Sequence, residues 1–385
     1  MKKLLSALIC LCIVGCASVE SIPIKGQFVD VSNREDLIPF ESYVEPDYCE
    51  VIPLGRTSTP IAQITKFKVV DNKIFIFDEL TQSIFVFSDK GKPIFTLNKF
   101  GKAKNEYLEI ADFCYANGLI YISDLTKRQV MMYDLKGKCV KIIDIADYWA
   151  NGLFVLGKDI YMINAGGEVQ GGTYHLFKID SDGNLKEKYM PFDEYKQSDC
   201  LYCTDGKSAL CFQAPENVIY SITQDGCEPL FSLNFDNLNL PEEYWNLDAR
   251  ELMQKHIDDK YICRVENIQI LGNKIIINFY DTESKLMYAV YDNNKGQVER
   301  VFRGLDINNN KYKARMLNPI IYENSLYTIY EATHFKSFYG YLDKYAREYV
   351  DKNYMVRMKK IADSIVPDSN PVIFRYKLNK TINNK

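Results

Sequence analysis

Histidine is scarce in this chain of 385 residues: it occurs three times, at 175, 256 and 334. So widely scattered, the three form neither a His-Glu-x-x-His motif nor a recognisable ligand pair. Positive charge is not concentrated anywhere. The formal net charge is −4 and no block of Lys and Arg appears, so nucleic acid is a poor candidate partner. No Gly-x-Ser-x-Gly elbow is present, and Gly206-Lys207-Ser208 lacks the upstream glycine of a phosphate-binding loop. The pairs Gly166-Gly167 and Gly171-Gly172 fit a flexible loop better than a phosphate cradle. No catalytic motif can be read along the chain.

Apolar and aromatic residues are plentiful. They make up 47% and 13% of the chain, with 28 Tyr and 21 Phe, which suits strands that fill the space between stacked sheets. Gly91, Gly137 and Gly183 follow one another at intervals of 46 residues, each with an Asp one to three residues upstream. The same interval links Phe67 to Phe113, Asp78 to Asp124, and Phe87 to Tyr133 to Ile179. Self-similarity at this period, in segments that alternate apolar and polar, predicts one four-stranded blade per repeat.

Blade one reads as Ile64–Val70, a turn at Asp71-Asn72, an inner strand Lys73–Asp78, then Ser83–Ser88 and Pro93–Leu97. Blade two repeats it from Ala111 to Ile143, blade three runs from Gly152 to Tyr189, and blade four from Leu201 to Leu233. Near 240–260 the period breaks at Leu240-Pro241-Glu242-Glu243, which fits a helical insertion. Blade five follows from Tyr261 to Arg303. Blade six has Ala314–Tyr322 and Leu326–Tyr330, a second helical insertion near 338–365, and then Pro371–Leu378. It is one strand short, and Cys49–Pro53 is an orphan. The expected fold is therefore an all-β, six-bladed propeller whose N-terminal strand closes the last blade and removes the exposed edge.

The N-terminus locates the protein. Met1-Lys2-Lys3 and the apolar run Leu4–Val14 have the make-up of an export signal, and the run is too short to span a bilayer. Its end, Ile13-Val14-Gly15-Cys16, resembles the bacterial lipobox, whose Cys is acylated; otherwise Cys16 is one more residue of a secretory signal cleaved nearby. The expected layout is a signal peptide over 1–15, a lipidated Cys16 and tether over 16–45, and the propeller over 46–380. Eight further cysteines remain in the body, and disulfide pairing stays open.

The pattern resembles the six-bladed propeller lipoproteins of Bacteroidetes, akin in shape to NHL-type and TolB-like propellers, over nearly the whole mature chain. The loop Gly101-Lys102-Ala103-Lys104-Asn105-Glu106-Tyr107 resembles their Gly-x-Gly-Pro-x-Glu-Tyr loop through Gly101, Glu106 and Tyr107, with Ala103 and Lys104 in place of the second Gly and the Pro. Asn370-Pro371-Val372-Ile373-Phe374 is similar to their last strand. The resemblance implies fold and location, and no activity.

Several constellations could carry chemistry. The strands read as innermost run out into Asp78, Asp124, Asn164, Asp281 and Glu331, with His334 nearby. Converging on the axis, these oxygens would form a binding mouth, or hold a hard cation such as Ca²⁺. Alternatively each side chain caps its own turn. Cys200-Leu201-Tyr202-Cys203 has redox or half-zinc spacing but lacks a second pair, so packing or a local disulfide is the plainer reading. Tyr341, Tyr345 and Tyr349 share a helix face that either packs on the propeller or docks a partner. The functional expectation is a monomeric envelope lipoprotein, held to the membrane by its lipid on the periplasmic side, that binds a protein or glycan without a cofactor. The alternative is a lactonase- or lyase-like enzyme at the channel mouth.

Overall fold

A computed structural model describes residues 24–35, 38–39, 44–164, 167–192, 200–303, 305–306, 320–345 and 347–379. Cys16 and residues 314–319 of the expected sixth blade lie outside them.

Six antiparallel sheets follow the repeat. Blade one is Lys66–Val70, Lys73–Asp78, Ser83–Ser88 and Pro93–Leu97; blade two is Ile110–Ala116, Leu119–Asp124, Gln129–Tyr133 and Cys139–Asp144. Blade three is Ala150–Leu156, Asp159–Asn164, Tyr174–Ile179 and Leu185–Pro191. Blade four is Cys200–Thr204, Ala209–Gln213, Val218–Thr223 and Gly226–Asn234, and blade five is Val265–Leu271, Lys274–Tyr280, Leu286–Asp292 and Gln297–Phe302. Blade six takes Ile320–Tyr322, Ser325–Tyr330 and Val372–Leu378 from the C-terminal part and Val44–Pro53 from the N-terminal part. Ile52 lies opposite Ile373 and Val51 opposite Phe374, so the chain closes its own ring as expected.

The repeat has a local cause. In blades one and two the first hairpin turns on Asp71-Asn72 and Asn117-Gly118, all at positive φ, the geometry that suits a two-residue loop between twisted strands. The outer hairpins turn on Gly91, Gly137 and Gly183, again at positive φ. A Cβ on Gly91 would lie 2.5 Å from the carbonyl of Pro53, and one on Gly183 would lie 2.9 Å from that of Asp144. Each of these two turns therefore presses against the outer strand of the preceding blade. Ser88, Asp134 and Asp180, at the equivalent positions, cap these turns by accepting from backbone amides.

The first strands of neighbouring blades lie side by side around the axis, so the first strand of each blade is innermost. This corrects the expectation that Lys73–Asp78 and its equivalents line the channel. The hydrophobic run marks the second strand, buried on both faces, and the innermost strand is the more polar one.

Part of the expected tether belongs to the ring. Gly26–Phe28 pairs in parallel with the outer strand of blade four, Glu35 bridges to Phe302 of blade five, and Ile38–Pro39 pairs with Leu305–Asp306. Val29 and Val31 are buried in the core between blades four and five. The segment runs as a belt along the rim before it enters blade six.

The first insertion forms a helix over Ala249–Asp258. Its cap is Asp248, whose side chain accepts from the Arg250 and Glu251 amides, and a short helical turn, Glu242–Tyr244, precedes it directly behind Pro241 as expected. The second insertion is a helix pair, Ala332–Tyr345 and Lys352–Ser364, set between two strands of blade six. Phe335, Leu342, Tyr354 and Met358 anchor it against Phe374 and Tyr376. No helix among the described residues is long and apolar enough to cross a membrane.

Candidate functional site

Asp78, Asp124, Asn164 and Asp281 sit at the ends of second strands and are buried. Asp78 accepts from the amides of Ala62 and Thr81, at 2.7 and 3.2 Å. One repeat later, Asp124 accepts from Leu108 and Lys127, at 2.8 and 2.9 Å. Each carboxylate thus ties its own turn to the segment that enters its blade. Asn164 bonds the Gly167 amide, and Asp281 the amides of Glu283 and Lys285. These groups cap turns and do not converge on the axis, contrary to the expected mouth. Glu331 and His334 stand apart and exposed at the start of the helix pair, 3.6 Å from each other. Among the described residues, no group of three or more His, Cys, Asp or Glu is arranged to hold a metal ion.

The family-like loop is a clasp between blades one and two. Glu106 folds back to accept from the Ala103 amide at 2.9 Å, occupying the place where a Cβ on Gly101 would go. Tyr107 is fully buried and donates to the Gln82 carbonyl at 2.7 Å; burial pushes its phenol up to about 12. Asn370, in the family-like last strand, serves blade one in a similar way, donating to the Gly55 carbonyl and accepting from the Ile61 amide.

The Cys-x-x-Cys spacing falls within a strand, where residues three apart face opposite sides. Cys200 packs between blades three and four near Cys211 and Cys227, whereas Cys203 packs toward blade five. The eight described cysteines are all free thiols. Tyr341 and Tyr345 also differ from the plainer expectation: they are 58% and 62% exposed, with ring centroids 5.4 Å apart.

The chemically richest grouping was missed by sequence reasoning. Lys66 and Lys68, on the innermost strand of blade one, point toward Asp112 on that of blade two, and Tyr202 reaches it from blade four. Lys66 pairs with Asp112, and Tyr202 also donates to it. The amides of Phe113 and Leu153 add bonds of 2.7 and 3.1 Å to the same carboxylate. A Cβ on Gly152 would lie 3.2 Å from the Tyr202 ring, so that glycine leaves room for the tyrosine to cross. Burial alone would raise the Asp112 carboxyl, but Lys66, Lys68 and these hydrogen bonds outweigh it and hold it below the ordinary value. Burial, then the Asp112 charge, pushes the Tyr202 phenol far up, so it stays a donor. The available signal was periodic: Lys66 and Asp112 occupy one position in successive repeats, and both are charged inside a strand.

Solved structures share the architecture. A candidate exported protein of Bacteroides fragilis superposes with a TM-score of 0.71 at 13% identity, covering 92% of this chain and all of its own. A DUF4221-family member from Bacteroides vulgatus gives 0.50 at 10% identity, covering 86% and 96%. At such identities the likeness concerns the fold. No curated protein matches the chain. The model of the domain of unknown function DUF4934 matches residues 30–377, belt and ring together, and the chain belongs to that family.

Proposed function

We propose that the protein is an envelope lipoprotein whose propeller, held close to a membrane by an acylated Cys16, binds a protein or glycan partner. The apolar leader ending in Gly15-Cys16 supports export and anchoring, and the likeness to a candidate exported protein agrees with it. The belt limits how far the ring can stand from its anchor. With Gly26–Phe28 paired to blade four, residues 17–25 bridge the gap, a reach of about 35 Å at full extension. Acyl chains on Cys16 would contribute about 0.8 kcal/mol per buried CH₂. A leash this short supports a reading in which the binding surface lies near the bilayer, on the periplasmic side.

The observation that carries partner binding is the exposed Tyr341–Tyr345 pair. It sits on a helix held rigidly from below by Phe335 and Leu342, so presenting two large rings to water brings the fold no packing benefit. Tyrosine offers a large, stiff contact area that loses little conformational entropy on binding, and it serves protein and glycan surfaces alike.

The experiment is a pull-down of the lipidated protein from its own envelope, beside a variant carrying Tyr341→Ala and Tyr345→Ala. A partner retained by the wild type and lost by the variant is expected. An unchanged set of captured molecules would overturn the assignment of this surface. For the anchor, Cys16→Ala should abolish acyl labelling and processing, and normal acylation of that variant would overturn it.

A further inference from the structure

The Lys66–Asp112–Tyr202 grouping is not balanced in charge. Lys66 and Lys68 lie two residues apart on one strand, so both side chains leave it on the same side. They face a single carboxylate, Asp112, which is already engaged by Lys66, Tyr202 and two backbone amides. Lys68 forms no ion pair among the described residues. Its ammonium lies 5.6 Å from the Tyr202 ring centroid and 6.0 Å from that of Phe113, and the residue is only half-buried.

We propose that the central channel contains a small-oxyanion site centred on Lys68, which takes a carboxylate or phosphate group carried by a ligand. The site has the components such a group needs. One ammonium is structural, locked between Asp112 and Tyr202. The second carries a positive charge with no counter-charge of its own, among aromatic side chains and in contact with water. Aromatic rings favour the cation but give its N–H donors no strong acceptor, and an oxyanion would supply one in place of water. Burial, and then the neighbouring ammonium of Lys66, hold the Lys68 amine down to about 8, and Asp112 restores only part of this. An arriving anion would remove that penalty. Lys68 therefore stands without a counter-charge of its own where side chains from three blades meet, and an arriving oxyanion would supply one. The site does not depend on how the ring is anchored, nor on the Tyr341–Tyr345 surface.

The test uses the mature protein labelled with ¹³C at lysine Cε, with Lys68→Met to identify the resonance. In the absence of added anion the Lys68 signal is expected to titrate near its depressed value. Millimolar inorganic phosphate or acetate should then raise the midpoint saturably, by about one unit, which corresponds to a roughly tenfold preference for the charged amine. The Lys68→Met protein should remain folded and lose saturable binding of both ions by calorimetry. A response to one ion alone would support the site and identify which oxyanion it takes. A midpoint unmoved by either ion, or binding that survives in Lys68→Met, would overturn the proposal.

Discussion

Lys66 and Asp112 occupy the same position in successive 46-residue repeats, and they form an ion pair with each other. Blade one supplies the cation and blade two the anion, so the innermost strands are joined by the one repeat position at which the two blades carry opposite charge. The pair is largely buried, with Asp112 almost wholly so. Removing one member of such a pair costs far more than the pair itself contributes, because the other charge is stranded.

Asp112→Asn keeps the shape and leaves both ammonium groups without a counter-charge. A loss of about 3 kcal/mol in unfolding free energy is expected. Lys68→Met should recover part of that loss, since the two changes share one network. Urea unfolding of the single and double variants measures both. An Asp112→Asn protein as stable as the wild type would remove the electrostatic account of the channel.

Closure of the ring predicts a graded truncation series. A chain beginning at Val44 lacks the belt, leaves Val29 and Val31 unplaced, and should fold with a lowered denaturation midpoint. A chain beginning at Gly55 also lacks the closing strand and the buried Ile52, exposing the edge of Val372–Leu378. Its loss should reach several kcal/mol, at roughly 25 cal/mol for each Å² of apolar surface uncovered. Equal midpoints for the two chains, measured by circular dichroism, would contradict this.

Asp78 and Asp124 are expected to behave as caps. Replacing either by Ala leaves two part-buried amides without their acceptor, at a cost of about 1–3 kcal/mol in stability. Ca²⁺ or a chelator should leave the melting temperature of the wild type where it was. Stabilisation by Ca²⁺ that vanishes in these variants would show an ion site instead.

His175 makes stability depend on pH. It is buried and stacked on Phe192 at 4.1 Å, and burial holds its imidazole down to about 4, below its unfolded value of 6.5. Between those values the unfolded chain binds more protons, so this contribution is complete above pH 6.5 and is lost as pH falls toward 4. At pH 5 the loss should be about 2 kcal/mol relative to pH 7.5. His175→Phe should shrink that difference by a similar amount in unfolding titrations at the two pH values. A variant with the same pH dependence as the wild type would assign the effect to other groups.

Much of the architecture was legible because it is encoded locally. Turn pairs such as Asp71-Asn72 and Asn117-Gly118, and the outer-turn glycines 91, 137 and 183, recur at one interval and act over a few residues. The orphan strand before blade one and the deficit in blade six named each other. The helices were legible in place but not in detail: the second insertion begins at Ala332 and is built as two helices, and Tyr341 and Tyr345 face water.

Sequence alone determined the repeat, the number of blades and the closing strand, since each rests on periodicity or on a short contiguous pattern. It did not determine which strand of a blade is innermost. The run Ile74–Phe77 is apolar on both faces, and an apolar run looks the same whether it lines an axis or sits one strand away. Tertiary structure decided that, and with it the fate of every candidate carboxylate: Asp78 and Asp124 became caps, while Asp112, in an unremarked strand, became the centre of the channel. It also laid the supposed leash along blades four and five. The physical reason is the same in each case. A group's chemistry depends on its distance from partners forty, ninety or more residues away, and only closure of the ring brings Lys66, Lys68, Asp112 and Tyr202 together around one axis.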